Sequence, residues 1–318
     1  MTKSLQRIDA AAFLLHHDQY VILTHVRPDG DTLGSASALC LGLRSLGKTA
    51  YILENTGVSP RFAWMVEGLT TETVEDTDTV ISTDVASPGM LPENAQPLLG
   101  RVALCIDHHG SATSFSDLEL VDPDSASCAE VVFDVLELMD CRRSPEIMDR
   151  LYVGLSTDTG CFRFANTTAH TFKTAAVCAQ AGARIYELNQ ELFETNTLGK
   201  LRMQGWIVEH MRLLRQGSMA ICAIPRTVEQ ELGVTSDDMD NISNFPRTVA
   251  GVNIAATLRE TEDGLVKISV RAVPGYDATL IAESFGGGGH KGAAGASLHV
   301  PMAQAEALVE KAMMECCQ

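Results

Sequence analysis

Short apolar runs alternate with segments of helical spacing along the first half of the chain. The apolar runs have the length of buried strands, and the segments between them repeat apolar residues with the period of a helix. The predicted strands are residues 20–25, 49–53, 79–84 and 102–107. The predicted helices are residues 32–46, 126–140 and 145–156. Because strands that alternate with helices usually pair in parallel, we expect a mostly parallel, doubly wound sheet with helices on both faces.

The pattern changes after a nearly continuous helical stretch at residues 168–215. Beyond residue 217 the predicted strands are 218–224, 252–259 and 265–271, and the predicted helices are 277–285 and 301–316. The last two strands are joined by a hairpin-like turn at Glu262-Asp263-Gly264. We therefore expect an α/β protein in which a second, smaller mixed α/β domain is joined by a helical linker. The predicted boundaries are 1–195 for the first domain, 196–216 for the linker and 217–318 for the second domain.

Charge and hydropathy exclude two classes of protein. The chain has 318 residues, with 24 Lys and Arg against 41 Asp and Glu, and its net charge is −17. A protein that coats long nucleic acid needs clustered positive charge, so that class is not expected. No apolar run reaches the roughly 18 residues that a membrane span requires. We expect a soluble protein that has neither a membrane nor long nucleic acid as a partner.

The cysteines indicate the compartment. There are nine of them, an odd number, and no Cys-x-x-Cys pair occurs. Most lie in apolar stretches, where Cys packs as a small hydrophobic side chain. Neither a disulfide framework nor a cysteine-rich zinc site is expected, and the cytoplasm is the predicted location.

Acidic and imidazole side chains follow three of the predicted strands. They are His25, Asp29 and Asp31 after the first strand, Asp84 at the end of the third, and Asp107, His108 and His109 at the end of the fourth. Asp158 follows a predicted helix in a further acidic loop. Ligand sites of open parallel sheets form beyond the carboxyl ends of the strands, so the loops that follow the strands should converge.

Such a concentration of charge predicts a metal site. Taken alone, each segment has a structural interpretation as a solvated turn, a helix cap or a core histidine. Together, however, clustered carboxylates must either take up protons or bind cations. Ligands of the Asp and His types without a thiolate suit manganese, with magnesium, iron or cobalt as alternatives. The spacing from His25 to Asp31 allows two ions, and a carboxylate such as Asp84 can bridge them, as in two-metal hydrolysis of phosphate esters.

Five motifs resemble those of one known family. The segments HVRPDGDTLGS (25–35), Asp84, DHHGS (107–111) and STDTGCFRF (156–164) resemble the four motifs of the DHH phosphoesterase family. GGGGHKGAAG (286–295) resembles the glycine-rich signature of the family's associated C-terminal domain. Within the family, chain length and this signature are similar to those of the subgroup of oligoribonucleases and pAp phosphatases.

The resemblance implies a role for each metal-type residue. His25, Asp29 and Asp84 would hold one manganese ion, and Asp31, Asp84, His108 and Asp158 would hold the other. Mg²⁺ or Co²⁺ could substitute for Mn²⁺. Asp107 would orient a ligand, and His109 would face the substrate phosphate or donate a proton to the leaving oxygen.

The second domain is expected to bind the substrate. Four consecutive glycines allow a phosphate to approach the backbone closely, although a hinge loop is the alternative. The candidate substrate-binding residues are Gly287, Gly288, Gly289, His290, Lys291, Arg271 and Arg163. Arg271 could equally be an ordinary strand end. Phe164, which follows Arg163, offers a face for base stacking or belongs to the core. Ser127 and Glu130 are interpreted as residues that begin a helix.

The function that the resemblance implies is manganese-dependent hydrolysis of short oligoribonucleotides to mononucleotides, and of 3′-phosphoadenosine 5′-phosphate (pAp) to AMP. One alternative is hydrolysis of linear or cyclic dinucleotides such as pApA or c-di-AMP. Another is a nucleotide-binding regulator that uses the metals without turnover. A homodimer, which is common among relatives, is compatible with the resemblance.

Overall fold

The computed structural model describes residues 2–235, 237–239 and 241–316. The chain forms two compact units that divide between Thr195 and Asn196. Among the described residues no helix is both long and apolar enough to cross a membrane. The described cysteines have free thiols, and four of them are buried in the first unit, at positions 40, 105, 128 and 178.

The first unit is built on a seven-stranded parallel sheet. Its strands are β1 (Lys3–Ser4), β2 (Tyr20–Leu23), β3 (Ala50–Leu53), β4 (Thr70–Thr71), β5 (Thr79–Thr83), β6 (Val102–Asp107) and β7 (Leu118–Val121). They lie in the order β1-β7-β6-β5-β2-β3-β4. The chain leaves β2 towards one edge and later proceeds from β5 towards the other. The pair β2 and β5 is therefore the topological switch point, where open parallel sheets bind ligands.

The sheet has two buried faces, which confirms the predicted class. Alternate side chains of a strand point to opposite faces, and β2 follows this rule: Tyr20 and Ile22 join a different core from Val21 and Leu23. The α-helices of this unit contribute to the larger core, so they lie on one face of the sheet, whereas they were expected on both. The smaller one is covered by the 3-10 segment Glu93–Arg101, which carries Ala95 and Leu98 into it.

Several helices of the first unit begin with a side chain that caps the helix. The helices of this unit are α1 (Arg7–His16), α2 (Gly30–Ser45), α3 (Ala63–Val66), α4 (Cys128–Leu138), α5 (Pro145–Asp158), α6 (Ala169–Gln180) and α7 (Ile185–Asn189), the last continued by a π-turn at Gln190–Glu194. Ser144 caps α5 as its side chain accepts a hydrogen bond from Ile147 N–H, with Pro145 in the first turn.

The second unit contains a six-stranded mixed sheet in the order β12-β13-β11-β10-β9-β8. Its strands are β8 (Arg212–Leu214), β9 (Met219–Ile224), β10 (Ile254–Glu260), β11 (Val266–Ala272), β12 (Gly288–His290) and β13 (Ala293–Leu298). Its helices are α8 (Leu198–His210), α9 (Arg226–Leu232), α10 (Thr279–Glu283) and α11 (Met302–Cys316). The predicted hairpin joins β10 to β11, and Gly264 adopts a φ of +76° in its turn.

Two segments differ in structure from their predicted form. Residues 196–216 were expected to form a helical linker, but α8 ends at His210 and β8 then pairs antiparallel with β9. No strand was predicted at the glycine run, but Gly288–His290 forms the edge strand β12, paired with β13. A three-residue edge strand is too short to show a period, and glycine is disfavoured in strands, so neither strand is visible in the sequence.

Candidate active site

The acidic and imidazole residues of the first unit meet at the switch point of its sheet. Each of them lies at the carboxyl end of a strand or at the end of a helix. His25 follows β2; Asp29 and Asp31 begin α2; Asp84 follows β5; Asp107 ends β6 and precedes His108 and His109; and Asp158 ends α5.

The two acidic residues at the start of α2 are held by backbone amides. Asp29 is the N-cap, and its Oδ1 accepts hydrogen bonds from the N–H groups of Asp31 and Thr32 at 3.0 and 3.1 Å. Asp31 is buried, and its carboxylate accepts from the N–H groups of Cys128 and Ala129 at 2.7 and 2.8 Å. These amides begin α4, so the positive end of that helix helps to hold the Asp31 carboxylate in place.

The side chains form three groups, and within each group the imidazole nitrogens and carboxylate oxygens lie within 4.8 Å of one another. The first group is His25, Asp29 and Asp84, the second is Asp31, His108 and Asp158, and the third is Asp84, His108 and His109. His25 Nε2 lies 3.6 Å from Asp29 Oδ1 and 3.8 Å from Asp84 Oδ2. His108 Nε2 lies 3.4 Å from Asp158 Oδ2 and 3.7 Å from both Asp31 Oδ2 and Asp84 Oδ1. The Asp84 carboxylate therefore connects the His25 group to the His108 group.

These separations fit divalent cations. They are longer than hydrogen bonds, but two metal–ligand bonds of about 2.0–2.2 Å each can span them. Asp84 Oδ1 is buried and has no hydrogen-bond partner among the described residues. An orphaned carboxylate oxygen between two imidazoles is a suitable ligand atom, and a set of oxygen and imidazole donors suits Mn²⁺ or Mg²⁺ better than a structural zinc.

The electrostatics of the cluster also favour cations. Asp84 is only 3% exposed, and burial together with the charges of Asp31 and Asp29 raises the pKa of its carboxyl well above the usual range. Burial and the same two neighbours raise the pKa of Asp158 to about 9. Asp84 also has a φ of +58°, a conformation that is unfavourable for most residues and is typical of functional sites.

The two histidines after β6 have different partners. Asp107 is fully buried, and its Oδ1 accepts from His109 Nδ1 at 2.8 Å and from His108 N–H at 2.8 Å. His108 Nδ1 instead lies 3.3 Å from the carbonyl oxygen of Ser125. The residue that Asp107 orients through a side-chain bond is therefore His109. This bond raises the pKa of His109, against the opposing effect of burial.

Candidate substrate residues lie in both units. In the first unit, Arg163 is exposed, and its Nε donates to the carbonyl oxygen of Gly160 at 2.5 Å. In the second unit, Arg271 is partly buried in β11, with its Nε bonded to Asn244 Oδ1 at 2.7 Å. Burial and the nearby charge of Arg247 lower the pKa of Arg271. No ion pair among the described residues includes Arg271, so the neighbouring guanidinium groups of Arg271 and Arg247 suit an anion.

Two glycines of the run, Gly287 and Gly289, pack tightly against β13. A Cβ at Gly289 would lie 2.6 Å from the carbonyl oxygen of Ala293, and one at Gly287 would overlap that of Gly295. His290 pairs with Ala293 in β13, which pairs in turn with Arg271 in β11. Residues that pair directly share a face of the sheet, so His290 and Arg271 lie on the same face.

Three further residues support the site. Ser127 caps α4 by accepting from Glu130 N–H at 3.1 Å, as predicted for these two helix-start residues. Asn55, which the sequence analysis did not identify, is buried and donates to the His25 carbonyl oxygen at 2.9 Å and to Thr24 Oγ1 at 3.0 Å. Its position just after β3 is the signal that could have identified it, since polar residues after the neighbouring strands build the site.

Comparison with known proteins identifies the domain family of each unit. The model of the DHH family N-terminal domain matches residues 19–155, and that of the DHHA1 domain matches residues 217–317. The chain is 34% identical over 279 residues to the bifunctional oligoribonuclease and PAP phosphatase NrnA of Thermus thermophilus, covering 87% of this chain and 83% of that protein. It is 27% identical over 288 residues to the protein of the same name from Bacillus subtilis, covering 89% and 90%. An exopolyphosphatase-related protein from Bacteroides fragilis has the same fold, with a TM-score of 0.89 at 22% identity over 97% of this chain and 96% of that one.

Proposed function

The chain belongs to the DHH family of phosphoesterases, and from that premise we propose that it is a manganese-dependent enzyme for short oligoribonucleotides and pAp. It would release mononucleotides from the former and AMP from the latter. The relatives from Thermus thermophilus and Bacillus subtilis are each named as a bifunctional oligoribonuclease and PAP phosphatase, and both align with most of this chain. We further propose that the protein acts in the cytoplasm.

The observation that carries the proposal is the position of Asp84. Its carboxylate lies 3.8 Å from His25 Nε2 and 3.7 Å from His108 Nε2. A carboxylate between two such groups can serve two cations at once. His25, Asp29 and Asp84 would hold one Mn²⁺, and Asp31, Asp84, His108 and Asp158 the other. A pair of divalent cations bound there would lower the pKa of a bound water and neutralise charge on the phosphate.

The residues around the cluster have complementary roles in this proposal. Asp107 accepts from His109 Nδ1, which fixes the ring and leaves Nε2 to face the substrate. The raised pKa of His109 favours the protonated ring, which a donor to the leaving oxygen needs. His109 and Asp107 are therefore the proposed catalytic pair, with Asp107 acting through His109.

Binding of substrate phosphates is assigned to basic residues of the second unit. Arg271, His290 and Lys291 are the proposed contacts, together with the backbone at Gly287–Gly289. Arg271 and His290 lie on the same face of the sheet, and neither is in an ion pair within the described part of the chain. The net charge of −17 disfavours the binding of long polyanions, because their affinity for a protein depends on the number of phosphates that basic side chains neutralise.

A time course with three substrates tests the proposal. The substrates are an RNA dinucleotide, a long single-stranded RNA and pAp, each with and without Mn²⁺, and with Asp84→Ala as the inactive control. We expect manganese-dependent conversion of the dinucleotide and pAp, with the long RNA spared. Rapid degradation of the long RNA would contradict the preference for short substrates. If none of the three is converted but c-di-AMP is, the dinucleotide alternative replaces the proposal.

A further inference from the structure

The chain beyond Asp158 makes an unusual turn. Gly160, Cys161 and Phe162 are three consecutive residues with positive φ, of 56°, 59° and 61°. Side chains disfavour this conformation, and it persists only where the surroundings enforce it. Here Cys161 N–H donates to the Ser156 carbonyl at 2.6 Å, and Phe162 N–H donates to Thr159 Oγ1 at 3.0 Å.

The turn brings the next two side chains back against Gly160. The N–H groups of Arg163 and Phe164 both donate to the Thr159 carbonyl, at 2.9 and 3.0 Å. Arg163 Nε donates to the Gly160 carbonyl at 2.5 Å. The tip of the Phe164 ring packs so closely on Gly160 that a Cβ there would overlap it. A guanidinium and an aromatic ring are thus held against one glycine, two residues from Asp158.

The two side chains are available to a ligand. Phe164 is 46% exposed, whereas the neighbouring ring of Phe162 packs between Tyr152 and Phe172, with centroid distances of 5.9 and 5.5 Å. The bond to Gly160 uses Nε of Arg163 and leaves its terminal nitrogens for an anion. None of the ion pairs found in the described residues includes Arg163.

We propose that Arg163 and Phe164 form a subsite for one nucleotide of the substrate, with the base stacked on Phe164 and a phosphate on Arg163. The inference rests on the proposed function and adds a basis for its specificity. Stacking on an aromatic ring accepts any base, because every base has a π-face. The subsite therefore selects nucleotides over inorganic pyrophosphate or polyphosphate without selecting among bases.

The test combines variants of the enzyme with substrates that lack a base. The substrates are an RNA dinucleotide and two counterparts, each with an abasic ribose at one of the two ends. Phe164→Ala should lower kcat/KM on the intact dinucleotide on the order of ten- to hundredfold, the usual effect of removing a stacking ring. On the counterpart that lacks the stacked base, wild type and Phe164→Ala should have equal kcat/KM. Phe164→Trp should retain the activity of the wild type on the intact dinucleotide.

Two controls separate this role from a structural one. Phe172→Ala removes another exposed ring, which stacks on Phe162, and should leave kcat/KM unchanged. Arg163→Gln should lower kcat/KM equally on intact and abasic substrates, because both contain the phosphate. An equal loss on all three substrates for Phe164→Ala, or no loss on any, would overturn the subsite. Absence of dinucleotide turnover by the wild type would instead contradict the proposed function itself.

Discussion

Gly154 in α5 lies directly against the carboxylate of Asp31 in α2, so that a Cβ at Gly154 would be only 2.8 Å from Asp31 Oδ1. The same Cβ would be 2.5 Å from that of Ala129 in α4. Glycine at this position allows α2, α4 and α5 to meet beside the cluster. It thereby helps to place Asp31, from α2, within reach of Asp158 at the end of α5.

Gly154→Ala should consequently weaken metal binding. The added methyl group must displace Asp31 or Ala129, and we expect a loss of about 1–3 kcal/mol in stability from overpacking. The displacement of Asp31 should also lower Mn²⁺ affinity by roughly ten- to hundredfold, as changes next to metal ligands do. Calorimetric titration of metal-free protein with Mn²⁺ measures the affinity, and urea unfolding measures the stability.

Gly42→Ala is the matched control for this variant. Gly42 is in α2, the helix that contains Asp31 in its first turn, and a Cβ there would overlap the side chain of Leu136, remote from the acidic cluster. It should lose stability but keep the Mn²⁺ affinity of the wild type. Equal affinities for Gly154→Ala and Gly42→Ala would show that Gly154 has no role in placing Asp31.

Asp84→Asn should make the metal-free protein more stable. Asn tolerates the positive φ of this position, and the substitution removes one carboxyl from a buried group of like charges. The unfolding free energy in EDTA should rise, because burial and the neighbouring carboxylates raise the pKa of Asp84 and thereby disfavour its charged form in the folded protein. The stabilisation that Mn²⁺ gives the wild type should be lost. Urea unfolding with EDTA or Mn²⁺ distinguishes the two effects.

A buried carboxylate outside the cluster provides the contrast. Asp149 accepts from Arg184 Nε at 2.6 Å and from Arg184 N–H at 2.7 Å. Asp149→Asn should therefore lower stability with and without Mn²⁺. The account would be wrong if Asp84→Asn behaved like Asp149→Asn, or if Mn²⁺ still stabilised Asp84→Asn as much as the wild type.

Asn55→Ala should disturb the strand end that carries His25. The substitution leaves the buried carbonyl of His25 and Thr24 Oγ1 without their donor, which should lower stability by about 1–3 kcal/mol. Affinity for Mn²⁺ should fall as well. Asn94, an exposed amide that donates to the Glu54 carbonyl at 2.8 Å, is the control, and Asn94→Ala should change neither quantity appreciably. A stable Asn55→Ala variant with normal metal affinity would contradict this role.

Arg271→Gln should weaken substrate binding while leaving the metal centre intact. Loss of a charged hydrogen bond of about 1.5–3 kcal/mol should raise KM for a dinucleotide by roughly tenfold or more. Neither kcat nor Mn²⁺ affinity should change much. Arg259 lies in the neighbouring strand and is paired with Glu229, so Arg259→Gln removes the same charge without removing the proposed contact. A similar rise in KM for both variants would indicate a general charge effect.

The sequence was most informative where chemistry follows strand ends. His25, Asp84 and Asp107 could be placed together because the order of apolar runs predicts a parallel sheet, whose strand ends share one edge. The bond between Asp31 and Cys128 joins residues 97 positions apart, and no local pattern indicates such a contact. The strand at Gly288–His290 was missed because glycine is disfavoured in strands, and the tight packing of Gly289 against β13 is not visible in the sequence.

The central claim is that the cluster around Asp84 is a two-metal hydrolytic centre. Titration of metal-free protein with Mn²⁺, with bound metal and dinucleotide cleavage followed together, tests it most directly. We expect two bound ions per chain in the wild type, with cleavage appearing as the second ion binds, and neither full occupancy nor cleavage in Asp84→Ala. Cleavage that persists in EDTA-treated protein without metal, or that is unaffected by Asp84→Ala, would contradict the account.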